Sequence, residues 1–464
     1  MAQTDPLIIL GIGVFSIIFL IAALRLNAFI ALIISAIVVS LLAPGEFADK
    51  ISRVAGAFGA TAGKIGIVIA LAVVIGKCMM DSGAADRIVR GFLSLLGEKR
   101  CSWALMSSGF VLSIPVFFDT VFYLLVPLAR SSCRRTGGNY LKYATAIVAG
   151  GVITHSLVPP TPGPLIMADQ FGIDIGVMIG VGALIAIPAA FVGMAYSTWI
   201  NGRMNMAMRP LGGGMEEADP LDDHQLPSLG ISLLPIALPV LLVSANTIIC
   251  AVAERAQASE FCQKAAQVMG VIGNVNFAML ASAVVAMWML RSKRRLTNVQ
   301  LGKVVEVSLM SGGMIILITA AGGAFGAMLK EAQIGDRIQQ LFTGGGEHAS
   351  GIMFLLLGAL IACIIKIAQG SGTVAMITAS AMLAAMIPSS EALGFPPVLL
   401  ATAIGGASMI GSWMNDSGFW VFVKMTGLTE AEGLQCWTPL LALVGFSSVV
   451  VSFLLAMLYM GRAA

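Results

Sequence analysis

From Leu7 to Met460 the chain keeps returning to apolar stretches of about 20 residues, each long enough to cross a hydrocarbon layer of roughly 30 Å, with short polar joints between them. Nothing else in the sequence limits the fold as tightly. In lipid every backbone N–H and C=O must find its partner within the protein, so repeated apolar stretches of this length fold as a bundle of helices. Composition agrees, with 58% of residues hydrophobic and 11% charged. A net charge of +3 says little about partners, because basic residues collect in the loops of any inserted chain, and no nucleic-acid interface is indicated. The seven cysteines form no CxxC pair and no metal-ligand spacing, so they read as reduced packing residues, and neither a metal site nor a cofactor is expected. The N-terminal MAQTDPLIIL carries an acid instead of a basic leader and runs into a span-length stretch, so a cleaved signal is not expected.

Span-length stretches fall at 7–24, 28–43, 62–80, 141–158 and 173–200, with an apolar piece at 103–129. The same order returns at 231–253, 270–290, 304–328, 396–415 and 436–460, with a comparable piece at 351–390. At an offset of 250, Gly76, Asp86, Arg87 and Ile88 fall on Gly326, Asp336, Arg337 and Ile338. At an offset of 255, Ala146, Gly150, Gly151 and Gly163 fall on Ala401, Gly405, Gly406 and Gly418. Glycine-rich membrane helices resemble one another in any case, but two matches in the same order favour a duplication.

Charge sets the orientation. The clusters Arg87, Arg90, Lys99 and Arg100, then Arg130, Arg134, Arg135 and Lys142, then Arg291, Lys293, Arg294 and Arg295 are predicted to be cytoplasmic. The first two flank residues 103–129, and about 27 residues cannot cross twice, so this piece is predicted to be a re-entrant hairpin with its tip near Pro115 to Thr120. Five crossings plus a hairpin invert the second half, leaving 330–348 and both termini outside. The expected fold is an all-α polytopic membrane protein of two inverted-topology repeats, each of about five transmembrane helices plus a re-entrant hairpin. Residues 1–200 form the first, with its hairpin near 103–129, and residues 231–464 the second, with its hairpin near 351–390. The polar stretch 201–230, with Glu216, Glu217, Asp219, Asp222 and Asp223, links them.

Interrupted helices in inverted repeats are where transporters bind substrate and coupling ion. Each half has two interruptions: the hairpin tips IPVFFDT (114–120) and IKIAQGSGT (365–373), and the breaks THSLVPPTPGP (154–164) and SWMNDSGFW (412–420). The prolines of VPPTPGP cannot continue a helix. In GSGT the glycines permit close approach, and Ser371 and Thr373 stand beside unpaired N–H groups at a helix start, an anion site. Asp119 and Asp416 each adjoin a predicted break; a carboxylate in hydrocarbon costs several kcal/mol unless paired, hydrated or protonated, which makes both functional candidates. Helix capping by Asp416, a structural ion pair for Asp119 and snorkelling of Lys366 are the structural alternatives. His155 is a candidate proton shuttle, or a buried hydrogen-bonded histidine.

The stretches THSLVPPTPGP, GSGTVAMITAS and NDSGFWVF, with FFDTVFYLLVPLAR before them, together resemble the gluconate permease (GntP) family of the wider ion transporter superfamily, over nearly the whole chain. The resemblance implies a bacterial inner-membrane symporter that takes up gluconate, related sugar acids, or small hydroxy or amino acids with protons, its hairpins and broken helices forming a transport domain. The chain departs from the family pattern at four places. Thr161 stands where the family has histidine, Asp119 where it has glutamate, Lys366 where it has arginine, and Ser417 where it has proline. Arginine grips a carboxylate at two points and lysine at one, so the implied anion geometry differs.

The candidate substrate set is therefore Thr161, Gly163, Lys366, Gly370, Ser371, Gly372, Thr373, Asn415 and Ser417, and the candidate coupling set is Asp416, Asp119 and His155. Lys366 and the N–H groups of 370–373 are expected to hold a carboxylate. Thr161, Ser371 and Asn415 are expected to read hydroxyls, and Asp416, ahead of Asp119, to carry the proton. The expected partners are a small organic anion, a coupling proton and the lipid bilayer, with homodimerisation left open. The alternatives are a sodium-coupled carboxylate symporter, with Asn415 and Asp416 as ion ligands, and a D-amino-acid permease of the same family. An intramembrane enzyme is disfavoured, since the chain has no HExxH, GxSxG or paired GxGD motif. A passive channel would differ in failing to accumulate its solute.

Overall fold

A computed structural model of the protein describes residues 5–136, 138–209, 225–253, 260–334, 337, 351–387, 389–414 and 416–463. Among these residues there is no strand. The first half contains α1 (Pro6–Ile18), α2 (Ala28–Leu42), α3 (Asp49–Asp81), α4 (Ala84–Leu96), α5 (Cys101–Leu112), α6 (Phe118–Thr136), α7 (Tyr140–Leu157), α8 (Pro162–Phe171) and α9 (Ile175–Met204). The second contains α10 (Leu229–Ala253), α11 (Glu260–Ile272), α12 (Val275–Arg294), α13 (Asn298–Glu331), α14 (Gly351–Gln369), α15 (Gly372–Met386), α16 (Pro397–Ala407), α17 (Ser417–Thr426) and α18 (Glu430–Ala463). Polar caps start several of them. Asp5, Asn27, Asp174, Asn274 and Thr297 each accept from an N–H two or three residues on, satisfying donors that have no intrahelical partner.

Eight helices among the described residues are long and apolar enough to cross a membrane, so the protein is a multi-pass membrane protein, as expected. The long helices α3 and α13, of 33 and 34 residues, pack together along their lengths. They run antiparallel: Arg53 near the start of α3 lies 4.0 Å from Glu331 at the end of α13. Two further sets of contacts are reciprocal, with α12 lying on α3 and α2 on α13, and with α8 lying on α15 and α17 on α6. The glycine pair matched at an offset of 255 explains two close crossings. A Cβ on Gly150 of α7 would overlap the Met106 carbonyl oxygen of α5, and one on Gly405 of α16 would stand 2.6 Å from the Ser156 carbonyl oxygen. Small residues let helix backbones approach where lipid offers no hydrophobic drive for association.

Several element boundaries differ from the sequence reading, the spans expected at 304–328 and 436–460 beginning at Asn298 and Glu430 and the piece expected at 103–129 ending at Thr136. The span expected at 62–80 begins at Asp49, and that expected at 270–290 begins at Val275 with a separate helix α11 before it. The span expected at 396–415 ends at Ala407, and residues 408–414 are non-helical. The basic joint 81–100 contains the helix α4, started and ended by Gly83 and Gly97 at φ +80° and +76°. Its apolar residues Ala85, Ile88, Val89, Phe92 and Leu93 recur at helical spacing and pack inward, a periodicity hidden among charges. The segments 114–120 and 365–373, expected as hairpin tips, contain helix interruptions at 113–117 and 370–371. Residues 210–224 of the expected linker, with its acidic cluster, and Asp336 and Glu347 of the joint 330–348 lie outside the described residues.

Candidate substrate cavity

The turn between α14 and α15 is built on glycine. Gly370 sits at φ +87°, where an L side chain is strained, and its N–H closes on the Lys366 carbonyl at 2.8 Å. Ser371 then caps α15, accepting from the Val374 N–H at 3.3 Å. The Lys366 side chain folds over this turn, its ammonium donating to the Gly370 carbonyl at 2.6 Å.

The same ammonium reaches the break between α16 and α17, where it pairs with Asp416 Oδ2 at 2.6 Å. Lys366 does not snorkel to the surface; its side chain is only 4% exposed. Asp416 also caps α17, Oδ1 accepting from the Gly418 N–H at 2.9 Å, and Ser412 Oγ donates to Oδ2 at 2.5 Å. Ser412 is held in turn by Trp437 of α18, whose indole N–H donates to Oγ at 2.8 Å. Asp416 thus makes the helix cap that was its structural alternative and an ion pair with Lys366 as well.

Asp119, in the first turn of α6, accepts from Ser417 Oγ at 3.4 Å, which joins the start of α6 to the start of α17. Below them Phe118, Trp437, Phe422 and Phe122 form a chain of ring contacts with centroids 5.5–5.7 Å apart. His155, from the end of α7, stands edge-on to the Phe117 ring at 5.6 Å.

These elements line a cavity of about 360 Å³, a volume suited to a small polar molecule. Of the residues singled out in the sequence, it gathers Asp119, His155, Lys366, Gly370, Ser371, Gly372, Thr373, Asp416 and Ser417. Thr161 is elsewhere. Its hydroxyl is shared between the carbonyls of His155 at 2.9 Å and Val158 at 2.7 Å, closing the end of α7, and it faces a separate small void beside Pro115. Gly163 is a packing position, since a Cβ there would stand 2.7 Å from Met376 Sδ. Asn415 lies outside the described residues.

The cavity also uses residues that were not among the sequence candidates. Gln369 follows Lys366 by three positions and shares its helix face, a signal that was present in IKIAQG. Ser408 and Trp437 had no such signal, and Met376 was one apolar residue within GSGTVAMITAS; Trp437 arrives from another helix in an otherwise ordinary apolar stretch.

Helices broken around a charged internal cavity, in a bundle with eight candidate spans, define a membrane transport protein, not an enzyme. Residues 5–458 match the GntP family permease model, and the chain belongs to that family. It is 31% identical to an uncharacterised permease of Haemophilus influenzae over 92% of this chain and 87% of that protein. It is 30% identical to the gluconate permease of Bacillus subtilis, covering 97% and 99% of the two chains, and 31% identical to the low-affinity gluconate transporter of Escherichia coli K12, covering 97% and 98%. The fold is similar to that of Neisseria gonorrhoeae MtrF, with a TM-score of 0.64 at 15% identity over 94% of this chain and 96% of that one.

Proposed function

We propose that this protein imports a small sugar acid together with protons, using Lys366 as the carboxylate anchor and Asp416 as the proton-carrying group. The observation that carries the proposal is the buried Lys366–Asp416 pair on the wall of the cavity. The ammonium cannot serve an internal carboxylate and a substrate carboxylate equally well. A proton on Asp416 removes its claim on Lys366 and releases the ammonium to the substrate. Departure of the substrate restores the pair and expels the proton.

Charge balance points the same way. Among the described residues lining the cavity, Lys366 is the permanent cation, and it faces Asp119 and Asp416. An anionic substrate entering with both acids ionised would leave two uncompensated negative charges in a poorly solvated space, so it must bring a cation with it. A proton suits the site better than sodium, because the Asp416 oxygens already receive donors from Lys366, Ser412 and the Gly418 N–H, which repel a metal ion. The names of relatives, which include the Escherichia coli Gnt-II system L-idonate transporter at 29% identity over 96% of this chain, support a sugar acid as the substrate.

Two inverted repeats account for the arrangement. The antiparallel packing of the corresponding helices α3 and α13 supports this reading. So do two ties between segments that charge assigns to the same side. Arg294 donates to the Asp81 carbonyl at 2.7 Å on the cytoplasmic side, and Arg337 pairs with Asp5 at 3.1 Å on the outer side. Re-entrant hairpins from opposite sides then bring their tips to one cavity. Proteoliposomes loaded at higher internal pH should accumulate labelled gluconate or L-idonate without sodium, and a proton ionophore should abolish accumulation. Accumulation that follows a sodium gradient and ignores the ionophore would defeat proton coupling. Preference for D-serine over every sugar acid would defeat the substrate assignment.

A further inference from the structure

The ion pair accounts for one end of a substrate, yet two other side chains on the cavity wall end in polar atoms that the protein does not satisfy. Gln369 Oε1 and His155 Nδ1 are both buried without a hydrogen-bond partner, and both residues line the cavity. A buried acceptor left unmet costs the fold free energy, so its retention on a cavity wall points to a partner brought by a ligand.

Gln369 is the last residue of α14, three positions after Lys366. Residues at that spacing are neighbours on one helix face, with Cβ atoms about 5–6 Å apart. A carboxylate anchored on the Lys366 ammonium therefore brings the substituents of its adjacent carbons beside the Gln369 amide. That amide sets a chemical condition, because its oxygen only accepts and its NH2 only donates. A hydroxyl answers both. An ammonium can meet the oxygen alone, and it would stand near the Lys366 ammonium as a like charge. A hydrogen meets neither. His155, its ring set edge-on to Phe117, offers a second unmet nitrogen from α7, while the rings of Phe117, Phe118 and Trp437 give the carbon chain an apolar surface.

We infer that Gln369 and His155 form a hydroxyl-reading subsite for the carbons next to the substrate carboxylate, so that the cavity selects 2-hydroxy acids over their 2-deoxy and 2-amino counterparts. This deepens the sugar-acid reading and rests on Lys366 as the carboxylate anchor. The roles are those of specificity determinants; neither residue carries the coupling proton.

The test is calorimetric binding to the purified full-length protein with matched ligands: gluconate against 2-deoxygluconate, and D-glycerate against 3-hydroxypropionate and D-serine. Wild type is expected to bind each hydroxy acid about ten- to a hundredfold more tightly than its counterparts. Gln369→Leu should erase that ratio by weakening the hydroxy acid more than the deoxy acid, and a monodisperse elution profile in detergent matching wild type shows that the variant is folded. Gln369→Asn should restore part of the ratio, and His155→Phe should reduce it independently. A wild-type ratio within twofold overturns the inference, as does tighter binding of D-serine than of D-glycerate, or equal weakening of both members of a pair by Gln369→Leu. Should gluconate fail to bind while the glycerate set shows the ratio, the sugar-acid assignment falls and the subsite stands. Binding of none of these acids overturns both.

Discussion

Replacing Asp416 by asparagine isolates the charge of the ion pair, because the amide oxygen can still cap the Gly418 N–H and the side chain keeps its volume. Lys366 then loses its counter-charge while its side chain stays 4% exposed. Removing one partner of a buried pair costs about 3–5 kcal/mol, far more than a lost surface bridge, because an uncompensated charge remains in poorly solvated surroundings. Lys366→Met should cost a comparable amount by stranding the carboxylate, although Ser412 and the Gly418 N–H soften that loss. The double variant leaves neither charge and should recover most of the stability, so the single costs exceed the double by about 5 kcal/mol or more, which is the coupling energy between the two sites. Reversible unfolding of all four proteins in mixed micelles of rising SDS fraction measures the cycle. All three variants should fail to accumulate substrate in proteoliposomes, including the double variant that folds well. Costs that add to within about 0.5 kcal/mol would refute the claim that the two groups neutralise each other inside the protein. Accumulation at the wild-type level by Asp416→Asn would remove Asp416 from coupling.

Other perturbations report on the surrounding architecture. Asp119→Asn should keep its contact with Ser417 and bind the anion at least as tightly as wild type, because one repelling charge is gone, yet accumulate less at a fixed proton gradient; calorimetry beside vesicle uptake checks both. Gly163→Ala should push the Met376 thioether toward the cavity and raise the KM for uptake, and adding Met376→Ala should return KM toward wild type. Gly150→Val should cost about 1–3 kcal/mol or prevent folding, because α5 and α7 cannot stay apposed, and the yield of monodisperse protein in detergent reads the loss.

Much of the fold was legible because the bilayer imposes a simple rule. Apolar length sets the spans, and prolines and glycines set where helices break: VPPTPGP interrupts α7 and α8, and GSG turns α14 into α15. Charge misled where it was taken alone, since α4 is a helix whose apolar stripe was masked by arginines; α16 stops short because Met409 and Ile410 close tighter turns on Gly406 and Ala407 and Gly411 takes φ +82°. The ionisable residues at the breaks were detectable as candidates, for lipid penalises each of them whatever its neighbours. Their partners were not detectable. That Lys366 meets Asp416 from 50 positions away, that Ser417 reaches Asp119 from 298 away, and that Trp437 steadies Ser412 follow from how distant helices cross. Thr161 lay within a motif and still turned its hydroxyl to the end of its own helix, whereas Gln369, unremarked beside Lys366, faces the cavity. Local sequence determines where the chain can span and where it must break, because those costs are counted against lipid residue by residue. Which broken ends meet, and which polar atoms remain for a substrate, is decided only when the helices pack, because hydrogen bonds and ion pairs depend on distances that no single segment contains.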